Sequence, residues 1–229
     1  MEQVNSGYVT SGTAWFTSNQ TAGKGTRGKQ WLAQPGDISA LSVALQPATL
    51  PLSRQFMLSV AVALGTCDFF TSYAGDETLI KWPNDIYWRD RKAGGILIEN
   101  VLRGNTWQYA IIGIGLNINQ AAFPEHLPNA VSLRQITGKT REASELAKEL
   151  CTYLDKRIKQ LRAARYDALL EEYTSKLFRW QQPGSYRQPG GEVFQGIIRD
   201  VLPDGHLCLE KDGAIIQVGF GEIEFVLRQ

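Results

Sequence analysis

The stretch TLIKWPNDIYWRDRKAGGILIENVLRGNTWQYAIIGIGLNIN, residues 78–119, decides the architecture. "TLIKW" reads as a strand that Pro83 breaks, because a proline ring removes a donor from the ladder. "GGILIENVL" and "WQYAIIGIGLNIN" are further apolar strands, with Arg103-Gly104-Asn105 as the hairpin turn between them. Three strands following one another this closely predict an antiparallel or mixed sheet with helices on one side, an α+β fold.

Upstream, Phe56, Val60, Ala63, Cys67 and Phe70 recur at spacings of 4, 3, 4 and 3, which predicts a core-facing helix over about residues 52–73. Before it, "ISALSVAL" reads as a buried strand and "TAWFTSNQ" as a short strand from about Thr13 to Ser18. Downstream, Leu146, Leu150, Leu154, Ile158 and Leu161 form one stripe of a surface helix with most charged residues opposite, and a second helix carries Tyr166 to Leu177. From Gly184 onward, turns at Pro189-Gly190-Gly191, Asp204-Gly205 and Asp212-Gly213 separate short alternating strands. The expected division is a larger domain over 1–181 and a small all-β barrel over 182–229.

The chain has 229 residues and a formal charge of +1, so no global field draws it to nucleic acid and any basic function must be local. Cys67, Cys151 and Cys208 are odd in number and widely spaced, which points to reduced thiols and not a disulfide framework. With two histidines, His126 and His206, no Cys/His metal site is expected. No apolar run reaches membrane length and no signal sequence opens the chain, so a cytoplasmic location and no membrane association are expected.

Four segments depart from what a plain core needs. In "GKGTRGKQW", residues 23–31, two glycines and a lysine are spaced as in a P-loop, but Gln30 stands where magnesium needs Ser or Thr, and Pro35-Gly36 forbid the following helix. Gly23, Gly25 and Gly28 allow close backbone approach, while Lys24, Arg27 and Lys29 can neutralise a carboxylate or phosphate; the alternative is an ordinary surface loop. Lys81 sits between Ile80 and Trp82, where it needs either an anionic ligand or a salt bridge to a carboxylate such as Asp85. In "GIGLNIN", Gly113 and Gly115 leave a flat strand surface or mark bulges, and Asn117 offers a donor and an acceptor to a heterocycle. "RKAGGILIEN" is the fourth segment.

Together these segments resemble the biotin protein ligases, catalytic core plus C-terminal small β-barrel domain, without an N-terminal DNA-binding domain. The shared pattern is Gln20, Gly23-Lys24-Gly25, Trp31, Lys81 to Asp85, Lys92 to Glu99 and Gly113 to Asn119, in that order. "NAVSLRQITG" and the C-terminal "GEIEF" resemble later family segments, so the likeness runs from about residue 12 to the end.

The resemblance implies a class II synthetase-like domain that joins biotin to ATP, giving biotinyl-5'-AMP and pyrophosphate, and then passes biotin to a lysine of a biotin carboxyl carrier domain. It implies catalytic roles for Lys81 and Lys24. Gln20, Gly23, Lys24, Gly25, Thr26, Lys81, Gly95, Gly113 and Gly115 would bind biotin; Arg27, Lys29, Trp31, Lys81 and Asn117 would bind ATP. Magnesium would arrive with ATP, no metal being held by the protein itself. A monomer or homodimer is implied, with no DNA as partner.

Two departures shape the expectation. Family members carry a Ser-Thr-Asn segment and a strand some 25 residues or more before the glycine-rich loop, whereas Met1 lies 22 residues before Gly23. We therefore expect Met1 to be an internal start and biotin binding to be weakened. Thr26 stands where many relatives have Arg, which weakens the expected hold on the adenylate. The competing readings are a lipoate or octanoate ligase or transferase of the same fold, a P-loop nucleotidase, and a truncated, weakly active or inactive member that keeps only carrier binding.

Overall fold

Alternation of branched and small residues draws the first half of the chain into antiparallel ladders. The strands are β1 (Thr13–Thr17), the two-residue β2 (Gly23–Lys24) and β3 (Gln30–Trp31), β4 (Ile38–Leu45), β5 (Thr78–Lys81), β6 (Asp85–Trp88), β7 (Arg91–Arg103) and β8 (Thr106–Asn117). Six of them form one sheet in the order β1-β4-β8-β7-β6-β5, and β2 pairs with β3 in a separate hairpin. The computed structural model describes residues 9–20, 23–25, 30–31, 36–47, 50–104 and 106–227. Four strands run through 78–119 where three were expected: the Pro83 break is a turn, with a cis Trp82–Pro83 bond, from which β6 returns antiparallel to β5.

Helices cover one face of this sheet. A 3-10 turn (Leu52–Arg54) leads into α1 (Gln55–Ala74), thirteen of whose residues are buried, so its length and apolarity are accounted for by the core it fills. A five-residue helix, α2 (Leu133–Thr137), which the periodicity did not predict, is fixed by a capping box in which Ser132 and Gln135 satisfy each other's backbone N–H groups. α3 (Ala143–Arg162) crosses α1 at Gly65, where an added Cβ would lie 3.2 Å from Leu154 and from the Tyr153 carbonyl. α4 (Tyr166–Ser175) completes the layer.

One charged residue breaks the expected stripe of α3. Arg157 is buried and donates through Nε to Asp68 at 2.7 Å on α1 and through Nη1 and Nη2 to Glu172 at 2.6 and 2.5 Å on α4. One guanidinium thus ties three helices by charge-assisted bonds.

The chain after residue 182 forms a second antiparallel sheet: β9 (Pro183–Arg187), β10 (Val193–Val201), β11 (Leu207–Lys211), β12 (Ala214–Val218) and β13 (Glu224–Val226), in the order β12-β11-β10-β9-β13. Closure into the expected barrel needs a β12–β13 ladder, which the described pairings do not include. The two sheets meet at the Pro83 turn, where Trp82 Nε1 donates to the Gly205 carbonyl at 3.1 Å and Phe220 packs on the Trp82 ring. Trp82 therefore reads as the junction between the sheets.

Candidate active site

Strand pairing aligns the unusual residues into rows across the face of the first sheet that the helices leave open. One row is Lys81, Asp85, Gly95, Gly115, Ala40 and Thr17, read from β5 to β1. The next is Leu97, Gly113, Ser42 and Trp15, and the third is Glu99, Ile111, Ala44 and Thr13. Successive rows lie about 6.7 Å apart, two residues of strand rise.

Small residues at the centre of the first two rows make a trough. It encloses a cavity of about 200 Å³ lined by Gln20, Gly25, Asn84, Lys92 and Glu99 besides the floor residues Ala40, Ser42, Gly95, Gly113 and Gly115. A Cβ added at Gly113 would meet nothing closer than the Leu97 carbonyl at 3.5 Å, so the protein's own packing does not demand glycine there. The bare surface serves the cavity. Gly94 faces the other way, and a Cβ there would fall 2.4 Å from Leu116 Cδ2.

The polar end of the trough is built by the Pro83 turn. Asn84 clasps β7 twice, donating Nδ2 to the Ile96 carbonyl at 2.6 Å and accepting from the Ile96 N–H on its own carbonyl at 2.9 Å. Tyr173 Oη donates to the Pro83 carbonyl at 2.8 Å, and burial pushes that phenol's pKa up, so it stays a donor. Asp85 is thereby fixed, and Lys92 Nζ pairs with its Oδ1 at 2.7 Å. A β-bulge aims Lys92. Ile86 opposes Gly94 and Tyr87 opposes Lys92, so Ala93 is the extra residue and Lys92 comes out on the same face as Gly95.

Lys81 is placed differently. It begins the first row on the sheet's edge strand, but its ammonium lies 5.3 Å from the Tyr87 ring and 5.0 Å from the ring of Phe225 on β13. It lines a second cleft of about 410 Å³ between the two sheets, with Trp82, Phe220 and Glu224. Asn84, Asp85, Ile96 and Leu97 are common to both cavities and form the wall between them. The salt bridge recorded for Asp85 is to Lys92, and Lys92 is the site residue to which the sequence analysis gave no role.

Asn117 also departs from expectation. It is buried; its Nδ2 donates to the carbonyls of Lys92 at 3.3 Å and Val131 at 3.2 Å, and its Oδ1 accepts from Gln120 at 3.1 Å. To read an adenine edge it would have to exchange bonds it already makes. In this structure it anchors the backbone of Lys92, which also exchanges hydrogen bonds with Asn129 and Val131. Asn119 is a similar clamp, donating to the carbonyls of Gly36 and Arg141 and accepting from the Arg141 N–H.

Of the remaining expected residues, Gln20, Gly25, Gly95, Gly113 and Gly115 meet in the trough. Gly23 is buried opposite Trp31 in the hairpin, and Lys24 opposes Gln30. Thr26, Arg27 and Lys29, and the side chains of Lys24 and Trp31, lie outside the described residues. Among the described residues no group of three or more His, Cys, Asp or Glu side chains could hold a metal ion.

Comparison with known proteins agrees with this architecture. The model of the biotin/lipoate A/B protein ligase family matches residues 1–117. A biotin–acetyl-CoA-carboxylase ligase of Mycobacterium tuberculosis is 31% identical over 227 residues, covering 97% of this chain and 82% of that protein. The bifunctional ligase/repressor BirA of Escherichia coli is 31% identical over 227 residues, covering 95% and 67%. The biotin protein ligase of Aquifex aeolicus, solved in complex with biotin and ATP, superposes with a TM-score of 0.80 at 25% identity, over 95% of this chain and 90% of that one. The six-stranded sheet, its glycine-floored trough and these matches lead to one conclusion: the chain belongs to the biotin/lipoate A/B protein ligase family.

Proposed function

We propose that this protein is a biotin–carboxyl-carrier-protein ligase that activates biotin with ATP and transfers it to a carrier lysine. The observation that carries the reading is the trough itself: a slot with a floor of small residues, one end of which holds a lysine anchored by a carboxylate. Such a slot suits a slender apolar acid whose carboxylate lies beside Lys92.

The first step joins two anions. A biotin carboxylate oxygen attacks the α-phosphorus of ATP, the bond to the bridging oxygen breaks, and pyrophosphate leaves with the electron pair. A preorganised cation at the meeting point lowers this barrier most, because its charge opposes that of both reactants. Lys92 is that cation. Asp85 orients it, while Asn117 and the 129–131 segment hold its backbone. In the second step the carrier's neutral amine attacks the acyl carbon, AMP departs and the amine proton is released.

Gln20 and Gly25 line the trough, and Lys24, Thr26, Arg27, Lys29 and Trp31 would hold the adenylate. Lys81 supports the turn from behind. Magnesium would come as the companion of the triphosphate, whose phosphates commonly hold it. The unit up to residue 181 would carry the chemistry, and the second sheet would brace the turn through Trp82 and Gly205.

Incubation with biotin, ATP, magnesium and a biotin carboxyl carrier domain should give biotinylated carrier and AMP. Absence of both, with the protein folded, would overturn the reading. Octanoylated or lipoylated carrier from the corresponding acids would move the protein to the other branch of the family.

A further inference from the structure

The far end of the trough holds a group that the reaction has not used. Glu99 lines the cavity from the third row, flanked across the strands by Ile111 and then Ala44. No hydrogen bond or ion pair to its carboxylate is found among the described residues. The side chain is partly covered, between the leucine of the second row and an isoleucine, and faces the cavity. Alternation on β7 puts Gly95, Leu97 and Glu99 on one face, so Glu99 and the Asp85–Lys92 pair stand at opposite ends of the same slot. Four residues of strand separate the rows of Gly95 and Glu99, about 13 Å.

We propose that Glu99 is the residue that selects the ureido head of biotin, its carboxylate accepting a hydrogen bond from a ureido N–H while Lys92 holds the acid at the other end. The proposal rests on the biotin reading above and deepens it. The slot is then bipolar, with a cation where the ligand carries a carboxylate and an anion where the ligand carries N–H donors. The backbone rows of Gly95 and Glu99 are about 13 Å apart, so a ligand that meets both groups must lie along the strands. Gln20 lines the same cavity.

The same arrangement explains how a fold shared with lipoate and octanoate enzymes would reject their acids. An octanoyl tail or a dithiolane ring carries no N–H, and binding it would cover the Glu99 carboxylate with apolar atoms and leave it without a donor. Sites built to hydrogen-bond a substrate discriminate strongly against analogues that lack the group.

Calorimetry on the full chain, wild type and the Glu99→Leu and Glu99→Gln variants, tests this with three probes: biotin, biotin methylated on both ureido nitrogens, and octanoate. The expected result for Glu99→Leu is a loss of biotin affinity of about 10- to 100-fold, the range of a hydrogen bond to a charged group, with octanoate unchanged or tighter. Glu99→Gln keeps one acceptor and should fall between. In ATP–pyrophosphate exchange the loss should appear in KM for biotin, with kcat at saturation kept within about threefold, since the group at that end touches no reacting atom. Wild-type protein should bind the methylated biotin as weakly as Glu99→Leu binds biotin. Biotin affinity in Glu99→Leu equal to that of wild type overturns the proposal; if that variant does not fold, an unchanged constant in the isosteric Glu99→Gln does so. Failure of the wild type itself to bind biotin would instead overturn the biotin reading, which keeps the two outcomes apart.

Discussion

The helical face and the open face of the central sheet are made by the same strands, β4, β7 and β8, yet the first is packed along its length and the second only at its far end, where Trp15, Tyr109 and Ile111 gather round Val9 and Ala44. On the helical side Ile96, Ile112, Ile114 and Leu116 are buried against α1 and its neighbours. On the open side the intervening positions are Gly95, Gly113 and Gly115. One strand thus carries a packing surface and a binding surface at alternate residues, and a substitution should be felt on one side without the other. The two faces differ also in their charges: the helical layer locks Arg157 between carboxylates, while the open face presents Lys92 and Glu99 to the cavity.

The largest expected effect lies in the helical layer. Arg157→Ala leaves Asp68 and Glu172 without their common partner, and breaking a buried pair in this way costs about 3–5 kcal/mol. Because Glu172 is 39% exposed and can recover water, the low end of that range is expected. Denaturant unfolding should show the loss, and any protein that stays folded should keep its biotin KM. A raised KM would mean that the two faces are coupled.

On the open face, the sharpest contrast is between Lys92 and Lys81, eleven residues apart. Lys92→Ala should slow ATP–pyrophosphate exchange by about 10²–10³, the usual range for removing one preorganised group that stabilises transition-state charge. Lys81→Ala, which takes a cation from between two rings, should slow it by less than about tenfold and act instead on thermal stability. The reverse order would return the catalytic role to Lys81.

Much of this geometry is legible in the sequence, and the misses have physical causes. Spacing places Gly113 and Gly115 on one face and Gly95, Leu97 and Glu99 on one face, so the trough could be read from period-two alternation alone. Lys92 could not. A strict alternation from Gly95 puts residue 92 on the opposite face, and only the bulge at Ala93 reverses it. Strand β6 was missed because Pro83 looked like an end and was a turn. Arg157, by contrast, was within reach: it stands seven residues after Leu150 and three after Leu154, on the apolar stripe, and a charge on such a stripe asks for a buried partner. Asn117 resembled a ligand group by type, but its commitment to Lys92, Val131 and Gln120 depends on the later segment folding back onto β8.

A matched pair of glycine substitutions tests the separation of the faces directly. Gly94→Ala drives a methyl group into Leu116 Cδ2 at 2.4 Å and the Gly115 carbonyl at 2.8 Å, an overpacking that should destabilise by about 1–3 kcal/mol. Gly113→Ala meets only ordinary contact within the protein and should change stability by less than about 0.5 kcal/mol. Its methyl group would stand in the trough, so its effect belongs in biotin KM. A destabilised Gly113→Ala with normal KM would show that the floor is part of the core.

The smallest effect expected is on the pH dependence of the helical layer. Hydrogen bonds from Arg157 hold the Glu172 carboxyl below its ordinary value of about 4.5. A carboxylate with a depressed folded-state pKa contributes stability that is fully present above the unfolded value and is lost as pH falls through the folded one. Thermal melts of the wild type should therefore be level in this contribution at neutral pH and decline below about pH 4.5. Glu172→Gln cannot titrate, so it should melt lower than wild type at neutral pH and decline less steeply in acid, the two curves converging. Parallel acid limbs in wild type and Glu172→Gln would show that the Arg157–Glu172 pair does not set the pH dependence of the helical layer.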